Sequence, residues 1–391
     1  MREVVIWGTG LIGYMAYMYY KDRCKIKYFV DSDEKKQSEK FFEYDIYSPD
    51  ILNKCKCFII VAVKNGREEV EVKLRETYKI KEYTLFSVNE ELVQTNSGKY
   101  IGYDIKNTII ICFSGGLGNQ MFQYAFYKAQ CINSQKVIGD ISSYKCVTNM
   151  PFSIENVFPK IKIYFNSGSI NEKKLNEIAE KRGIKFLIYN EDSVYQVNKK
   201  EADLSLLNVS SGFFRGIFQT YKYASLVEKE LRREFIFDIE KREELLKISR
   251  KIVKEGYISV HIRRGDYLLE SNAQYLGGIC TQEYYERAIY YMKKQKENCR
   301  FCFLSDDIQW VKQNFNVENS IYIESNNFSQ YEDWYDMYLM SICKHNIIAN
   351  STFSWWGAWL NQNPEKIVIA PKKWVNGCDY KDIYPPEWIC L

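Results

Sequence analysis

The stretch "CFSGGLGNQMFQYAFYKA" (residues 112–129) has three glycines in four positions between an apolar run and an amphipathic one. The run "TIIICFS" that leads into it is typical of a buried strand, and the residues after it have helical spacing. Where a glycine turn without side chains joins a strand to a helix, the backbone N–H groups at the helix N-terminus are unobstructed, and binding of an anion there is favoured. Gly116 and Gly118 are therefore candidate ligand-binding positions. A tight turn whose glycines serve packing alone is the alternative, and no Lys-Ser/Thr pair follows to make a Walker loop.

Composition bounds the class of protein. The net charge of +4 and the even spread of lysines over 391 residues argue against a nucleic-acid binder, which would collect basic residues on one face. Twelve cysteines without a secretion signal are expected to be free thiols, which predicts a cytoplasmic protein. His261 and His345 are the two histidines, so a histidine-rich metal cluster is excluded and no metal is expected. No window is apolar and long enough to span a membrane.

Strand and helix patterns alternate along the chain, which predicts an α/β fold with parallel sheets covered on both faces. We expect an N-terminal domain at residues 1–92, a linker at 93–107, a first lobe at 108–250 and a second lobe at 251–391. The two lobes would both be Rossmann-like and would face each other across a cleft.

The N-terminal domain begins with the pattern of a dinucleotide-type βαβ unit. Gly8, Gly10 and Gly13 have G-x-G-x-x-G spacing after a strand, and Asp31 ends the next strand. Glycines in this pattern let a pyrophosphate approach the backbone, and the acidic residue binds a ribose. Nucleotide binding, by an NAD-linked oxidoreductase or otherwise, is one hypothesis, and a structural or oligomerising domain is the other. The oxidoreductase lacks an evident hydride-transfer motif such as Ser/Tyr-x-x-x-Lys.

The stretch "SVHIRRGDY" predicts a strand that ends in charged residues. Alternation places His261 and Arg263 on one side of this strand, and Arg263 and Arg264 lie at its C-terminal end, where open α/β sheets bind ligands. Two guanidinium groups suit a diphosphate, because each makes bidentate, charge-assisted contacts. Asp266 would hold one arginine in its working rotamer. A surface salt bridge is the alternative interpretation.

Two further strand ends carry polar residues. In "NIIANSTFSWWGAWL", Asn350, Ser351 and Thr352 are good N-cap residues whose hydroxyl and N–H groups could hold a phosphate. A plain helix cap beside a buried tryptophan face would have the same pattern. In "FLSDD", Asp306 and Asp307 are placed to accept from ribose hydroxyls or base N–H groups.

Five segments in this order, "GGLGNQMFQYA", "GIFQTYKY", "HIRRGDY", "FLSDD" and "NSTFSWWGAWL", resemble the bacterial α-1,2-fucosyltransferases of glycosyltransferase family 11. The resemblance runs from about Thr108 to the C-terminus. It implies a GT-B fold and a metal-independent, inverting transfer of L-fucose from GDP-β-L-fucose, with no further cofactor, to O2 of a terminal β-galactoside. The acceptor would be an oligosaccharide or a lipid-linked glycan in surface-polysaccharide synthesis such as that of O-antigen. The enzyme would then be cytoplasmic or peripheral at the inner face of the membrane.

The resemblance also implies roles for individual residues. Arg263 would neutralise the leaving β-phosphate, supported by Arg264 and Asp266, and Asn119 would face the diphosphate or the acceptor. A general base is not evident. Guanosine would be bound by His261, Asp306 and Asp307. The phosphates and the base would be bound by Asn350, Ser351, Thr352 and Phe353. Residues on the acceptor side would be Gln120, Gln219 and Tyr221.

Two alternatives stay open beside this hypothesis. One is a related GDP-sugar transferase with another acceptor. The other is a non-catalytic sugar-nucleotide sensor, which would be expected to lack Arg263 or Asn119.

Overall fold

Strands and helices alternate throughout the computed structural model, which describes residues 2–86 and 105–391 apart from short gaps. The gaps are residues 11–12, 14–15, 18–19, 22–23, 38–39, 42, 55–56, 64–65, 135, 142–143, 145–151, 162, 164, 167–171, 192–196 and 198. Most of the predicted linker, residues 93–107, lies outside the described residues, so the domain boundaries stay a prediction.

The strands and helices have the following bounds. The strands are β1 (Glu3–Trp7), β2 (Lys25–Val30), β3 (Lys40–Phe41), β4 (Tyr44–Tyr47), β5 (Phe58–Val61), β6 (Tyr83–Leu85), β7 (Thr108–Cys112), β8 (Lys136–Asp140), β9 (Phe165–Asn166), β10 (Leu187–Asn190), β11 (Lys199–Lys200), β12 (Gly212–Arg215), β13 (Ile258–Ile262), β14 (Phe301–Ser305), β15 (Ser320–Tyr322), β16 (His345–Ile347), β17 (Val368–Ala370), β18 (Asp379–Tyr380) and β19 (Ile389–Cys390). The helices are α1 (Arg67–Val72), α2 (Leu117–Asn133), α3 (Ile154–Val157), α4 (Glu172–Lys181), α5 (Tyr221–Leu226), α6 (Glu228–Glu234), α7 (Glu243–Glu255), α8 (Glu270–Leu276), α9 (Gln282–Gln295), α10 (Ile308–Asn314), α11 (Trp334–Ser341) and α12 (Thr352–Leu360). Single-turn helices lie at Pro49–Lys54, Lys73–Thr77, Leu204–Asn208, Gly265–Leu268 and Ser325–Asn327.

Within the described residues, three larger sheets follow one another along the chain, and β11 pairs with β18 in a separate two-stranded sheet. The strand orders of the larger sheets are β3-β4-β2-β1-β5-β6, β10-β12-β7-β8-β9 and β15-β14-β13-β16-β17-β19. All neighbouring strands in them run parallel except the β3–β4 hairpin. The prediction of an α/β fold with parallel sheets is confirmed. We call the second sheet with its helices the first lobe, and the third sheet with its helices the second lobe.

The second lobe has the strand order of a doubly wound sheet, in which chain order reverses between β13 and β16. Ligands bind such sheets outside the carboxyl ends of the strands, at this reversal. Arg263 directly follows β13, and Asn350 lies just beyond β16. The first lobe has a different order, with β7 in the middle and the two latest strands on one side of it.

Two of the three glycines in the N-terminal G-x-G-x-x-G pattern are needed by the turn itself. Gly8 has φ +117°, and a Cβ there would lie 2.3 Å from the carbonyl oxygen of Ala62, while a Cβ on Gly13 would lie 1.9 Å from that of Gly8. Gly10 has open space around it. Asp31 accepts from the backbone N and Oγ1 of Thr9 at 2.9 and 2.5 Å, so its carboxylate braces the turn. This arrangement supports the structural hypothesis for the domain, and nucleotide binding there stays a prediction.

The lobes pack together where α2 crosses α12. The ring of Phe122 lies 4.6 Å from that of Trp355 and 5.0 Å from that of Trp356, and the Trp356 indole donates to the Gly118 carbonyl at 3.0 Å. A Cβ on Gly118 would lie 2.6 Å from Oγ1 of Thr352. The opening glycine stretch therefore places the start of one helix directly against the start of the other.

We expect Gly118→Ala to destabilise the protein by about 1–3 kcal/mol, because the methyl group would force the two helix starts apart in a packed interface. The matched control is Gly116→Ala, since nothing lies within 4 Å of a Cβ at Gly116. Gly116→Ala should lower the free energy of unfolding by no more than about 1 kcal/mol. Urea denaturation of both variants measures the difference, and equal stability would contradict the tight crossing.

Candidate active site

A cleft of about 1430 Å³ lies between the two lobes. The first lobe contributes the glycine turn before α2 and the loop after β12, and the second contributes the carboxyl ends of β13, β14 and β16. The predicted site residues that line it are Arg263, Asn119, Asp266, His261, Asp306, Asn350, Ser351, Thr352, Phe353, Gly116, Gly118 and Gln219.

The glycine turn is held from both sides by glutamines of α2. Gln123 accepts from the backbone N of Ser114 at 3.0 Å and donates to the Gly216 carbonyl at 2.8 Å. Gln120 is fully buried, donates to the Gly115 carbonyl at 2.9 Å and accepts from two backbone N–H groups before α3. Gln120 thus stabilises the turn, and it does not line the cleft, where an acceptor would lie.

Two helix N-termini meet at the cleft. Helix α2 follows its N-cap residue Gly116, and α12 follows its N-cap residue Ser351. Each N-terminus carries unpaired N–H groups and a partial positive charge of roughly half an elementary charge. Because Gly118 and Thr352 are in contact, both partial charges act on the same region of the cleft. This region is suited to an anion.

Arg263 extends from the end of β13 into the same region. Its Nη2 lies 2.6 Å from Oδ1 of Asp266, and its Nη1 lies 3.0 Å from Oδ2 of Asp306. Burial alone would lower the pKa of Arg263, but the carboxylates of Asp306 and Asp266 raise it above its ordinary value. The guanidinium is therefore a fixed cation, oriented by two carboxylates.

Arg264 and Asp307 are directed elsewhere. The Arg264 guanidinium lies 3.7 Å from the ring centre of Trp310, and its Nε donates to Asp307 at 3.0 Å. Asp307 also caps α10 by accepting from the backbone N of Trp310. Neither residue lines the cleft, so their predicted contact with the donor would need another side-chain arrangement.

His261 lies on the wall of the cleft with 4% of its surface exposed, and its ring centre is 5.8 Å from that of Phe353. Burial and the nearby Arg263 cation lower the pKa of His261 to about 3. The imidazole is therefore neutral at physiological pH. Its Nδ1 has no hydrogen-bond partner among the described residues.

Asp336 on α11 also lines the cleft, and our sequence analysis missed it. It is 7% exposed, and its Oδ1 has no hydrogen-bond partner in the described part of the chain. Burial raises the pKa of Asp336 to about 7; Asp333 and Asp306 add to this rise, and a hydrogen bond with Tyr331 opposes it. The sequence feature that could have identified Asp336 is an acidic residue on the buried face of an otherwise apolar, aromatic helix.

The first-lobe wall of the cleft is built around the loop after β12. Glu191 accepts from the backbone N of Ile217 at 2.7 Å and of Phe218 at 3.0 Å, and it pairs with Lys200 at 3.2 Å. Phe218 needs this support, because its φ of +56° is unfavourable for a residue with a side chain. Glu191 and Lys200 both line the cleft and were not predicted. Tyr221 does not line it.

Among the residues that the structure describes, no group of three or more His, Cys, Asp or Glu side chains could hold a metal ion. No described helix combines the length and the apolar character that crossing a membrane requires. Cys299 and Cys302, which have C-x-x-C spacing, do not form a disulfide bond.

Residues 83–391 match the family described as Glycosyl transferase family 11, and the chain belongs to this family. The resemblance found from its motifs is confirmed. The chain is 31% identical over 304 residues to the O-antigen biosynthesis glycosyltransferase WbnK of Escherichia coli. The aligned region covers 72% of this chain and 99% of that protein. The chain is 32% identical over 299 residues to an alpha-1,2-colitosyltransferase of Escherichia coli, over 72% and 98% of the two chains. It is also 27% identical over 136 residues to galactoside 2-alpha-L-fucosyltransferase SEC1 of Bos taurus. This alignment covers 34% of this chain and 37% of the bovine protein.

We expect the carboxyl of Asp336 to titrate near pH 7 in the unliganded protein. Between its unfolded pKa near 3.8 and its folded pKa of about 7, the native state binds more protons than the unfolded state. The Asp336 contribution to the free energy of unfolding must therefore fall as pH rises through this range. Urea denaturation of the wild type and of Asp336→Asn across this range isolates the contribution as their difference. A difference that does not change with pH would show that burial does not raise this pKa.

Proposed function

We propose that this protein transfers L-fucose, with inversion, from GDP-β-L-fucose to O2 of a terminal β-galactoside, using a GT-B arrangement of its two lobes. Family membership supports glycosyl transfer, and the names of the bovine and colitosyl relatives support the α-1,2 linkage and a fucose-like sugar. The observation that carries the proposal is the convergence of Arg263 and two helix N-termini on one region of the cleft.

These groups suit the charge changes of the reaction. Departure of GDP leaves growing negative charge on the β-phosphate, and fixed donors aimed at developing charge lower the barrier without reorganising. Arg263 would contact this phosphate, and the N–H groups of α2 and α12 would contact the diphosphate oxygens. Each charge-assisted hydrogen bond contributes about 1.5–3 kcal/mol. The residues present can supply this stabilisation without a bound metal.

The buried polar groups of the second lobe suit guanine. The N1–H and 2-amino groups of guanine are adjacent donors, which match a carboxylate, and Asp336 offers one with a free oxygen. The neutral His261 could donate to the acceptor edge of the base. Asp306, beside Arg263, would accept from the ribose hydroxyls. Binding would favour the ionised form of Asp336 and therefore weaken as pH falls below about 7.

The acceptor would lie against the first-lobe wall. Among the cleft-lining carboxylates, Glu191 is held by two backbone N–H groups and Lys200, Asp266 and Asp306 hold Arg263, and Asp336 is assigned to the guanine base. We therefore assign the proton of the acceptor hydroxyl to an oxygen of the departing phosphate. The relative named for O-antigen biosynthesis supports a surface-polysaccharide acceptor, built in the cytoplasm or at the inner membrane face.

The decisive experiment measures GDP release from GDP-fucose over a panel of β-galactosides, with EDTA present. We expect galactoside-dependent release and a product that an α-1,2-fucosidase cleaves. GDP-fucose binding without turnover on any galactoside would indicate another acceptor, and turnover of GDP-colitose alone would indicate another sugar. Absence of GDP-fucose binding would contradict the proposal.

Arg263→Ala should lower kcat by at least about 10²-fold, since it removes the cation that faces the leaving group. Arg264→Ala is the matched control, because its guanidinium stacks on Trp310 outside the cleft, and its kcat should change by less than about tenfold. Thermal unfolding of both variants checks that the fold is kept. Equal losses of kcat in the two variants would mean that both arginines serve the donor.

Asp336→Asn should remove a preference for GDP over inosine diphosphate, which lacks the 2-amino group. The wild type should bind GDP about 10-fold or more tightly than inosine diphosphate, because one charge-assisted hydrogen bond is lost with the analogue. In the variant the two affinities should approach each other. Calorimetric titration of both ligands measures this, and an unchanged preference would place the base elsewhere.

A further inference from the structure

Gln219 joins the two lobes through its side-chain amide. The indole Nε1 of Trp374, in the second lobe, donates to Oε1 of Gln219 at 2.9 Å. Nε2 of Gln219 donates in turn to Oδ1 of Asn119 at 3.2 Å. These three side chains form a continuous chain of hydrogen bonds from the second lobe to the glycine turn of the first, and all three line the cleft.

The donor-to-acceptor direction of these hydrogen bonds is determined by the indole N–H of Trp374. The oxygen and nitrogen of a side-chain amide can often be exchanged without changing its shape, but an indole N–H can only donate. Trp374 therefore requires the oxygen of Gln219, which leaves the Gln219 NH₂ facing Asn119. Asn119 must accept with Oδ1, so its Nδ2 is available on the other side of the amide. That Nδ2 lies beside the glycine turn, 2.6 Å from the position that a Cβ on Gly115 would take.

The loop of Gln219 and the backbone of Trp374 are each held in place by further hydrogen bonds. The loop that carries Gln219 is fixed by Glu191, which accepts from the two backbone N–H groups before it, and by Gln123, which donates to Gly216. Trp374 is 4% exposed, and its carbonyl accepts from Nδ2 of Asn350 at 3.2 Å. The chain therefore connects the starts of α2 and α12 by a second route, besides the Gly118 contact.

We propose that Gln219 is a positioning residue that keeps the Asn119 amide turned with its NH₂ group into the cleft, as a fixed donor toward substrate. The orientation originates in Trp374, so it holds only while the two lobes are together; separation would free both amides to rotate. This proposal rests on the proposed transferase function. It replaces the predicted role of Gln219 as a direct acceptor ligand.

The test is a double-mutant cycle between Gln219→Glu and Asn119→Asp. The glutamate keeps the size of the side chain but can only accept, so Asn119 would turn its NH₂ toward it and its oxygen toward the substrate. We expect Gln219→Glu to lower kcat by about 10²-fold, the effect of losing one transition-state donor, with a much smaller change in either KM. The double variant should be no slower than Asn119→Asp alone, because both changes act through one amide.

Trp374→Phe removes the donor that sets the direction and should also be non-additive with Asn119→Asp. Its matched control is Trp7→Phe, which removes an indole N–H bond to Oγ of Ser32, 3.3 Å long, in the N-terminal sheet and outside both lobes. The side-chain amide NMR signals of Asn119, identified by their loss in Asn119→Asp, should move in Trp374→Phe and not in the control. This readout needs no acceptor.

Multiplicative losses in the cycle, or unmoved Asn119 signals in Trp374→Phe, would overturn the proposal. A raised acceptor KM with unchanged kcat in Gln219→Glu would restore the direct acceptor role instead. Failure of the transferase function itself is distinguishable, since the wild type would then release no GDP from GDP-fucose with any acceptor while the NMR comparison still decides the orientation of Asn119.

Discussion

The contact between Gly118 and Thr352 is the constraint on which the cleft depends. A backbone can approach a helix start this closely only where it has no side chain, and here a Cβ would lie 2.6 Å from Thr352. The contact is kept in place by the aromatic rings of Phe122 and Trp355 behind it. Packing that is typical of a protein interior thus brings together two groups of unpaired N–H donors that would otherwise lie apart.

Burial then assigns the charges of the site. Two carboxylates accompany the Arg263 cation into the cleft and raise its pKa further, whereas His261, beside the same cation and without a carboxylate partner, is neutral. Asp336 has acidic neighbours, and its pKa rises to about 7. One cation, one neutral donor or acceptor and one adjustable carboxylate therefore lie along a single wall. That combination fits an elongated ligand with an anionic end and a polar, uncharged end.

The sequence predicted the site where a residue follows a parallel strand, because the carboxyl ends of such strands share one edge of the sheet. Arg263, Asp306 and Asn350 were found in this way, and all three line the cleft. Side-chain direction was less accessible, since it depends on tertiary neighbours such as the Trp310 ring beside Arg264. Asp336 was missed because its environment is built by aromatic residues whose packing no local motif records.

The lobes are joined at a second place, which limits how they can move. Lys199–Lys200 pairs with Asp379–Tyr380 in a short parallel ladder, and Asp382 accepts from the backbone N of Ala202 and from Lys222. A polypeptide that returns from the second lobe thus forms part of the first. With the helix crossing as the other attachment, two separate contacts hold the lobes together. The hydrogen bond from Trp374 to Gln219 adds a third connection, and both of its residues line the cleft.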